Sequence, residues 1–170
     1  MTDWPARIHQ ALRAARVRQV GYVPDAGHAR LIELCHADAD IAAVVLTTEE
    51  EGIALAAGAW LGGQRAAVLM QSSGVGNCIN MLSLAKNCRI PLLAIVTMRG
   101  EWGEFNPWQV PMGSINDEVL RLAGVTPYRV ESPDAVRDTV EAATVAAFDA
   151  GGAVAVVLSQ KMLGRKRWTG

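Results

Sequence analysis

The sequence predicts an α/β fold of three layers, with a mostly parallel sheet of about six strands between two layers of helices. Apolar runs alternate regularly with segments of helical spacing, which requires parallel strands joined by helical crossovers. The composition is 51% hydrophobic with few aromatic residues, which suits helices packed closely on a buried sheet. The 170 residues show no linker, repeat or low-complexity segment, so we predict one domain over 1–170.

Spacing and turn residues give the predicted elements in order. The predicted strands cover residues 19–23, 41–46, 66–70, 91–97, 125–130 and 153–158. The predicted helices cover residues 4–18, 29–36, 49–61, a segment that opens within 71–77 and runs to about 88, 115–123 and 132–150. The near-continuous apolar run 41–46 predicts a strand buried on both faces.

Capping residues support several of these boundaries. Asp3 is a predicted N-cap with Pro5 in the first helical turn, and Ser132 is a predicted N-cap followed by Pro133. Gly62 fits a helix C-terminus. The segment 99–113 fits neither helix nor strand, and loops of this length in compact domains are usually functional.

Charge and cysteine content exclude several classes of protein. The net charge of -1 argues against general nucleic-acid binding, which depends on neutralising phosphates. The three cysteines are widely spaced and form no CxxC pair, so we expect buried, reduced thiols rather than a zinc site or disulfides. A polar N-terminus and the lack of about 20 continuous apolar residues predict no signal core and no membrane span. We therefore expect a cytoplasmic protein.

An acidic cluster follows the second predicted strand directly, in the stretch Thr47-Thr48-Glu49-Glu50-Glu51. One interpretation is structural, because Thr48 and Glu51 have capping-box spacing and acids in a first turn favour the helix dipole. The other is functional: successive side chains diverge by about 100°, so at most one acid enters a pocket over the sheet. Spacing alone leaves both interpretations open.

Polar residues follow three other strands at the same edge of the sheet. The turn from Gln71 to Asn77 either needs glycine sterically or lets a backbone approach a ligand, with Ser72 or Ser73 as the cap; it lacks the third glycine of a dinucleotide site and the lysine of a P-loop. His28 is either structural or functional, and Arg99 either meets an anionic substrate or is a surface charge. Ligands of open α/β sheets bind at this edge.

The stretches Thr48–Leu61 and Val68–Asn77 resemble the pyrimidine-binding domain of thiamine-diphosphate enzymes. Val23-Pro24-Asp25, Arg99-Gly100 and Gln109-Val110-Pro111-Met112-Gly113 are similar to the sulfopyruvate and phosphonopyruvate decarboxylases within that superfamily. The resemblance covers about residues 20–113, and it implies a thiamine-diphosphate-binding fold. The stretch Gln109–Gly113 is most similar to α subunits of the sulfopyruvate group.

The resemblance also implies roles for particular residues. The glutamate of the family lies nine positions before a helix glycine, which here selects Glu49 counting from Gly58. In the family this acid hydrogen-bonds N1′ of the aminopyrimidine and shares a proton with it. His28 is a candidate proton donor later in the reaction. The remaining implied cofactor contacts are Thr48, Ser73, Gly74, Gly76 and Asn77. The implied substrate contacts are Gln71, Ser72 and Arg99.

The resemblance further implies a partner chain. The family binds the diphosphate and Mg²⁺ through a Gly-Asp-Gly motif in a second domain, and no Gly-Asp-Gly occurs here. A separate β subunit is therefore expected to supply that domain and the metal site, with at least two α and two β chains per assembly. No metal ligand is expected in this chain.

The implied reaction is decarboxylation of a small 2-oxo acid that carries a second anionic group, with sulfopyruvate first and phosphonopyruvate second. An acetolactate-synthase-like carboligation, or a non-catalytic domain that keeps the fold, are the alternatives. Ser72 replaces a common asparagine, and Asp25-Ala26-Gly27-His28 departs from the usual Pro-Asp-Ser turn, so the substrate is open. Trp102, Phe105 and Trp108 form either a lid over the pocket or a contact with the partner.

Overall fold

The computed structural model describes residues 3–165, within which six parallel strands form one sheet in the order β2-β1-β3-β4-β6-β5. The strands are β1 Val17–Tyr22, β2 Ala42–Val45, β3 Arg65–Gln71, β4 Leu92–Thr97, β5 Thr126–Val130 and β6 Ala153–Leu158. Because every pair is parallel, all carboxyl ends meet at one edge. The predicted fold class is confirmed.

Helices cover both faces of the sheet. The helices are α1 Trp4–Ala14, α2 Ala29–Ala37, α3 Glu49–Leu61, α4 Ser72–Cys78, α5 Leu82–Cys88, α6 Val110–Leu122, α7 Val136–Thr144 and α8 Gln160–Leu163. Helices α1, α2 and α7 share one apolar core with the sheet. Helices α3, α4, α5 and α6 share the other. Alternate residues of β3 enter the two cores, because successive side chains of a strand point to opposite faces.

The strand order places a switch point between β1 and β3. The chain leaves β1 toward the β2 edge, whereas it leaves β3 toward β4, so the two connections diverge and open a crevice at the carboxyl ends. Asp25 follows β1 and Gln71 ends β3, which places both residues at this crevice.

Several predicted boundaries are wrong for identifiable reasons. The first helix ends at Ala14 and not at 18, because Arg16 takes a positive φ of 58° and the chain turns into β1. The predicted helix that runs to 88 divides into α4 and α5. Segment 99–113 contains a 3₁₀ turn, Pro107–Gln109, and the start of α6.

Strand β2 lies at an edge of the sheet, and the prediction that it is buried on both faces is wrong. Val44 and Val45 are 37% and 62% exposed. The apolar run 41–46 therefore reflects an uncovered apolar edge, which a periodicity argument cannot distinguish from a buried strand.

Of the helix caps predicted at Asp3, Gly62 and Ser132, the first two are confirmed and the third is wrong. Asp3 caps α1, with Asp3 Oδ1 accepting from the N–H of Ala6 at 3.2 Å. Gly62 closes α3, and Gly63 takes the left-handed conformation after it. Ser132 makes no side-chain capping bond, because a 3₁₀ turn, Pro133–Ala135, precedes α7; the predicted long helix then ends in a π turn, Val145–Asp149.

Candidate functional site

Of the three acids that begin α3, only Glu49 turns inward. Its side chain is buried, with 8% of the residue exposed, whereas Glu50 and Glu51 are exposed. Asn77 Nδ2 on α4 donates to Glu49 Oε2 at 2.8 Å. Strand β2 thus ends in a helix whose first residue points its carboxylate at the neighbouring helix, as the divergence of adjacent side chains requires.

Glu51 holds the helix start, in a pattern that differs by one residue from the predicted capping box. Glu51 Oε2 accepts from the N–H of Thr47 at 2.8 Å, and Thr48 makes no side-chain capping bond. The capping box of Thr48 and Glu51 is therefore wrong in its partner, although Glu51 does tie α3 to the preceding strand end. The hydroxyl of Thr48 is left out of the cap.

A glycine makes room for the Glu49 carboxylate. A Cβ at Gly74 would lie 2.4 Å from Glu49 Cδ and Oε1, far inside contact distance. Only glycine at position 74 lets the acid occupy this place. Oε1 accepts no hydrogen bond from the residues that the structure describes, so it remains able to share a proton with a nitrogen of a ligand.

Cys78 lies behind this carboxylate on α4 and is inert. Burial first, and then the nearby charges of Glu49 and Glu50, raise the pKa of the Cys78 thiol to about 12. The thiol is neutral near pH 7, which keeps a second negative charge away from Glu49. Cys35 is also buried, but Cys88 is exposed, so the expectation of three buried thiols is wrong for Cys88.

A hydrogen-bond chain crosses the switch point between β1 and β3. Gln71 Nε2 donates to Asp25 Oδ1 at 2.9 Å, and Thr97 Oγ1 at the end of β4 donates to Asp25 Oδ2 at 2.7 Å. Ser73 Oγ donates to Gln71 Oε1 at 3.0 Å. These bonds join the carboxyl ends of three neighbouring strands, β1, β3 and β4, through side chains.

Asp25 is held in its ionised form. Burial would raise the pKa of this carboxyl, but hydrogen bonds from Thr97, Gln71 and the backbone of Gly27 outweigh burial and leave the pKa lowered. His28 would also lower the Asp25 pKa while charged. Because burial lowers the pKa of His28 itself, the imidazole is neutral near pH 7 and the hydrogen bonds are the decisive cause.

His28 is completely buried beneath the hydrogen-bond network of Asp25, Gln71 and Thr97. Its Nε2 lies 3.2 Å from the carbonyl oxygen of Met70, and its Nδ1 has no hydrogen-bond partner among the described residues. An imidazole without exposed surface cannot reach a ligand in this conformation. The burial therefore weighs against His28 as a direct proton donor, a role that stays a prediction.

Neither serine of the 71–77 turn caps a helix, contrary to expectation. Ser72 Oγ donates to the carbonyl of Arg99 at 3.1 Å and accepts from its N–H at 3.0 Å, so it fastens α4 to the end of β4. Ser72 is fully buried, whereas Ser73 is half-buried and turned to Gln71. The predicted cofactor contacts Gly76 and Asn77 lie on the same short helix, and a Cβ at Gly76 would meet only Met112 at 3.2 Å.

Arg99 is neutralised within the chain. Its Nε and Nη2 both donate to the Glu104 carboxylate at 2.5 Å, and its guanidinium lies 5.8 Å from the centre of the Phe105 ring. The bond from Arg99 is the main cause that lowers the pKa of Glu104 to about 2. This geometry weighs against Arg99 as the anion-binding residue of the substrate, because the guanidinium would have to leave Glu104 first.

Glu104 and Gln160 anchor the loop that follows β4. Glu104 also accepts from Gln160 Nε2 at 2.9 Å and from the N–H of Asn106 at 3.0 Å. Gln160 Oε1 accepts from the N–H groups of Glu101 and Trp102, each at 3.0 Å. The three loop aromatics Trp102, Phe105 and Trp108 are 46%, 46% and 88% exposed above this anchored backbone.

A cleft of about 380 Å³ lies at the same sheet edge, on the face covered by α1 and α2. Asp25, Thr97 and Arg99 line it, whereas Glu49 does not. Glu49 lies on the opposite face of the sheet, with α4. The cleft and the Glu49 carboxylate are therefore on opposite sides of the hydrogen-bond network around Asp25. A buried carboxylate and a glycine clearance coincide on the Glu49 side.

Sequence reasoning missed Asp25 as a site residue, together with Thr97, Glu104 and Gln160. Asp25 and Thr97 could have been found, since each stands at or just after a strand end at the predicted ligand edge. Glu104 and Gln160 gave no signal, because they are 56 residues apart and meet only in the folded chain.

Residues 3–165 offer neither a metal-binding cluster nor a membrane-spanning helix. The described residues contain no cluster of three His, Cys, Asp or Glu side chains arranged to hold a metal ion. No helix in this part of the chain has the length and apolar character needed to cross a membrane.

Comparison with known proteins gives the family. Residues 6–109 match the family described as "Thiamine pyrophosphate enzyme, N-terminal TPP binding domain". A solved structure of 2-oxoglutarate:ferredoxin oxidoreductase from Magnetococcus marinus superposes with a TM-score of 0.71 at 12% identity, over 98% of this chain and 33% of that one. This likeness supports the fold, and the chain spans about a third of that protein's chain.

Curated relatives are similar over most of the length. The protein named "Sulfopyruvate decarboxylase subunit alpha" of Methanothermobacter thermautotrophicus is 37% identical over 158 residues, which is 92% of this chain and 95% of the relative. The protein of the same name from Methanocaldococcus jannaschii is 37% identical over 75% of this chain and 76% of the relative. "Phosphonopyruvate decarboxylase" of Streptomyces viridochromogenes is 40% identical over 69% of this chain, but only 30% of the relative.

The structural match agrees with the α/β fold and its parallel sheet. The chain belongs to the thiamine pyrophosphate enzyme family, as a member with the N-terminal TPP-binding domain.

Proposed function

We propose that this chain is the α subunit of a thiamine-diphosphate-dependent decarboxylase that converts sulfopyruvate to sulfoacetaldehyde and carbon dioxide. The observation that carries the proposal is the Glu49 carboxylate, buried at the sheet edge in a space that only Gly74 permits. The choice of substrate is supported by the relatives named sulfopyruvate decarboxylase subunit alpha, of which one matches over 95% and another over 76% of its own length.

The residues present fit the aminopyrimidine end of the cofactor. Glu49 Oε2 is held by Asn77, which leaves Oε1 to bind a ring nitrogen and to hold or release a proton there. When bound, thiamine diphosphate supplies the electron sink for the loss of carbon dioxide from a 2-oxo acid. Thr48, Ser73, Gly74 and Gly76 remain predicted cofactor contacts, since Thr48 directly precedes Glu49 and the other three lie on α4.

The remaining residues of this chain exclude water and set the polarity. Fully buried apolar residues, Val68 and Val96, lie beneath the edge near α3 and α4. Cys78 keeps its proton, so Glu49 is not opposed by a thiolate. A low-polarity floor under a single carboxylate strengthens its hydrogen bond to a ligand, because the interaction is less screened than in water.

The proposal includes a separate β subunit. The absence of Gly-Asp-Gly from the sequence and the relatives' designation as subunit alpha both support a partner that carries the diphosphate site and its Mg²⁺. At least two α and two β chains are then expected per assembly. A cytoplasmic location is retained as a prediction.

The substrate could instead be phosphonopyruvate, which the second group of relatives favours. Both acids carry a carboxylate, a 2-oxo group and a second anion. Because each would lose carbon dioxide to give an aldehyde, one assay can compare their rates. The α chain is co-purified with a β subunit that carries the diphosphate-binding domain, and aldehyde and carbon dioxide are measured with sulfopyruvate, phosphonopyruvate and pyruvate. Preference for sulfopyruvate is expected. A preference for pyruvate with acetolactate as product would refute the proposal.

Glu49→Gln tests the catalytic role in the same complex. We expect a loss of at least about 100-fold in kcat, the usual scale for a positioned acid-base group. Glu50→Gln is the matched control, since Glu50 is the exposed neighbour in the same helical turn and keeps the same net charge change. Equal activity of the two variants would remove Glu49 from the mechanism and favour a non-catalytic domain.

A further inference from the structure

Asp25 accepts two side-chain hydrogen bonds at the switch point, and the proposed mechanism does not use it. Its two oxygens accept from side chains on β3 and β4, Gln71 and Thr97, while Asp25 itself follows β1. Gly27 leaves the space for this arrangement, because a Cβ there would lie 2.7 Å from Asp25 Oδ2 and 2.9 Å from Thr97 Cγ2.

We propose that Asp25 is a positioning residue that fixes the amide of Gln71 as an N–H donor toward the carboxylate of the substrate. This inference rests on the proposed function, since it assigns the donor to a 2-oxo acid bound at the same edge. It concerns the orientation of a predicted substrate contact and not the proton at Glu49.

The orientation follows from the chemistry of the two partners. An ionised carboxylate only accepts, so the amide nitrogen of Gln71 must face Asp25. The amide oxygen then faces Ser73, whose hydroxyl donates to it at 3.0 Å. The carboxylate alone sets this orientation, because a flipped amide would turn its oxygen toward Asp25, whereas the Ser73 hydroxyl can donate or accept and adapts to it. What Gln71 retains for a ligand is its second N–H.

The placement of Gln71 makes that N–H useful. Gln71 immediately precedes α4, the helix whose Gly74 and Asn77 contact Glu49. Gln71 and Ser73 are only half-buried, so both remain partly open at the edge. The carboxylate of a 2-oxo acid is an acceptor, and the Gln71 amide accepts from Ser73 through its oxygen, which polarises its N–H bonds as donors.

The charges that face Asp25 support a permanently ionised anchor. His28 in its own loop is neutral near pH 7 because burial lowers its pKa. Arg99 at the end of β4 is close enough to interact with Asp25 but is already paired with Glu104. Thr97 and Gln71 therefore hold the ionised form by direct hydrogen bonds, and this hold persists across the neutral range.

Kinetics of the α/β complex test the positioning role with Asp25→Asn and Gln71→Met. Asparagine can donate as well as accept, so it no longer dictates one orientation of the amide. We expect each single variant to raise KM for sulfopyruvate about tenfold, the weight of one hydrogen bond, with kcat changed less than threefold. The double variant is expected to match the single ones. The inference would be overturned by a double variant whose increase in KM is the product of the two single increases, or by a fall in kcat at constant KM.

A second readout on the full chain needs no turnover. The side-chain amide resonance of Gln71 is followed by ¹⁵N NMR between pH 2 and 6. Its chemical shift is expected to titrate with a midpoint below the ordinary aspartate value. That midpoint should rise in Thr97→Val, and the titration should disappear in Asp25→Asn. A Gln71 resonance that is indifferent to pH and to Asp25→Asn would overturn the contact itself.

The two readouts keep the failures distinct. A wild-type complex that decarboxylates no 2-oxo acid refutes the proposed function, and with it the substrate role of Gln71, even where the NMR titration appears. An active wild-type complex with independent effects of Asp25→Asn and Gln71→Met refutes the positioning role alone.

Discussion

Gly74→Ala tests the most specific contact of the site. A Cβ at this position overlaps Cγ, Cδ and Oε1 of Glu49 at 2.4 to 2.5 Å, about 1 Å inside ordinary contact. Overpacking of this kind costs about 1–3 kcal/mol. Alanine in a helix is otherwise better than glycine by about 1 kcal/mol. These two effects oppose each other, so Gly74→Ala in the otherwise wild-type chain should lower the free energy of unfolding by up to about 2 kcal/mol.

The same substitution has the opposite sign once Glu49 is shortened. In a Glu49→Ala chain all three overlapping atoms are gone, so Gly74→Ala should gain about 1 kcal/mol from helix propensity. A double-mutant cycle from urea unfolding of the purified chain, followed by circular dichroism, then gives a coupling of about 1–3 kcal/mol. Gly58→Ala is the control: it lies in α3 with nothing within 4 Å, and should stabilise both backgrounds equally. A coupling below about 0.5 kcal/mol would mean that Gly74 does not face the carboxylate.

Three further outcomes are expected. Glu104→Gln should cost stability at pH 6, and because the folded pKa of Glu104 is lowered to about 2, its contribution is present above the ordinary value of 4.5 and is lost as the pH falls toward 2; a wild-type advantage in urea midpoint that stays constant from pH 5 to pH 2 would contradict this. Gly52→Ala should destabilise the chain by up to about 2 kcal/mol, because its Cβ would lie 2.5 Å from Val68 Cγ1 and the overpacking cost exceeds the gain in helix propensity; an unfolding midpoint equal to that of Gly58→Ala would show that α3 is free to shift. A thiol reagent should label one cysteine of the native chain, the exposed Cys88, whereas burial raises the pKa values of Cys35 and Cys78 to about 12; rapid labelling of all three would contradict the packing of α2 and α4.

The features predicted well from the sequence are those fixed by local patterning. Helix α3 has the predicted bounds, because a run of small residues begins at a cluster of acids and ends at Gly62. The inward turn of one acid follows from helix geometry alone. Strand β6 also has the predicted bounds, 153–158, because its apolar run lies between glycines and Ser159.

The features predicted poorly depend on distant neighbours. The exposure of Val45 depends on β2 having a strand on one side only, which no local pattern records. Arg99 appeared available for a substrate because its partner Glu104 lies in a loop whose course the sequence did not indicate. The hydrogen bond between Asp25 and Gln71 joins residues 46 positions apart, and it exists because β1 and β3 are neighbours.

The anchoring of the loop after β4 has a consequence for recognition. Glu104 and Gln160 order the backbone between 99 and 106, and Asn106 accepts from the N–H of Trp108, so the conformational entropy of this backbone is already lost before anything binds. A surface that contacts the side chains of Trp102 and Trp108 then immobilises only rotamers, at about 0.5–1.5 kcal/mol each, and not a flexible segment. The loop is a preorganised platform, on which large aromatic area is available for association at low entropic cost.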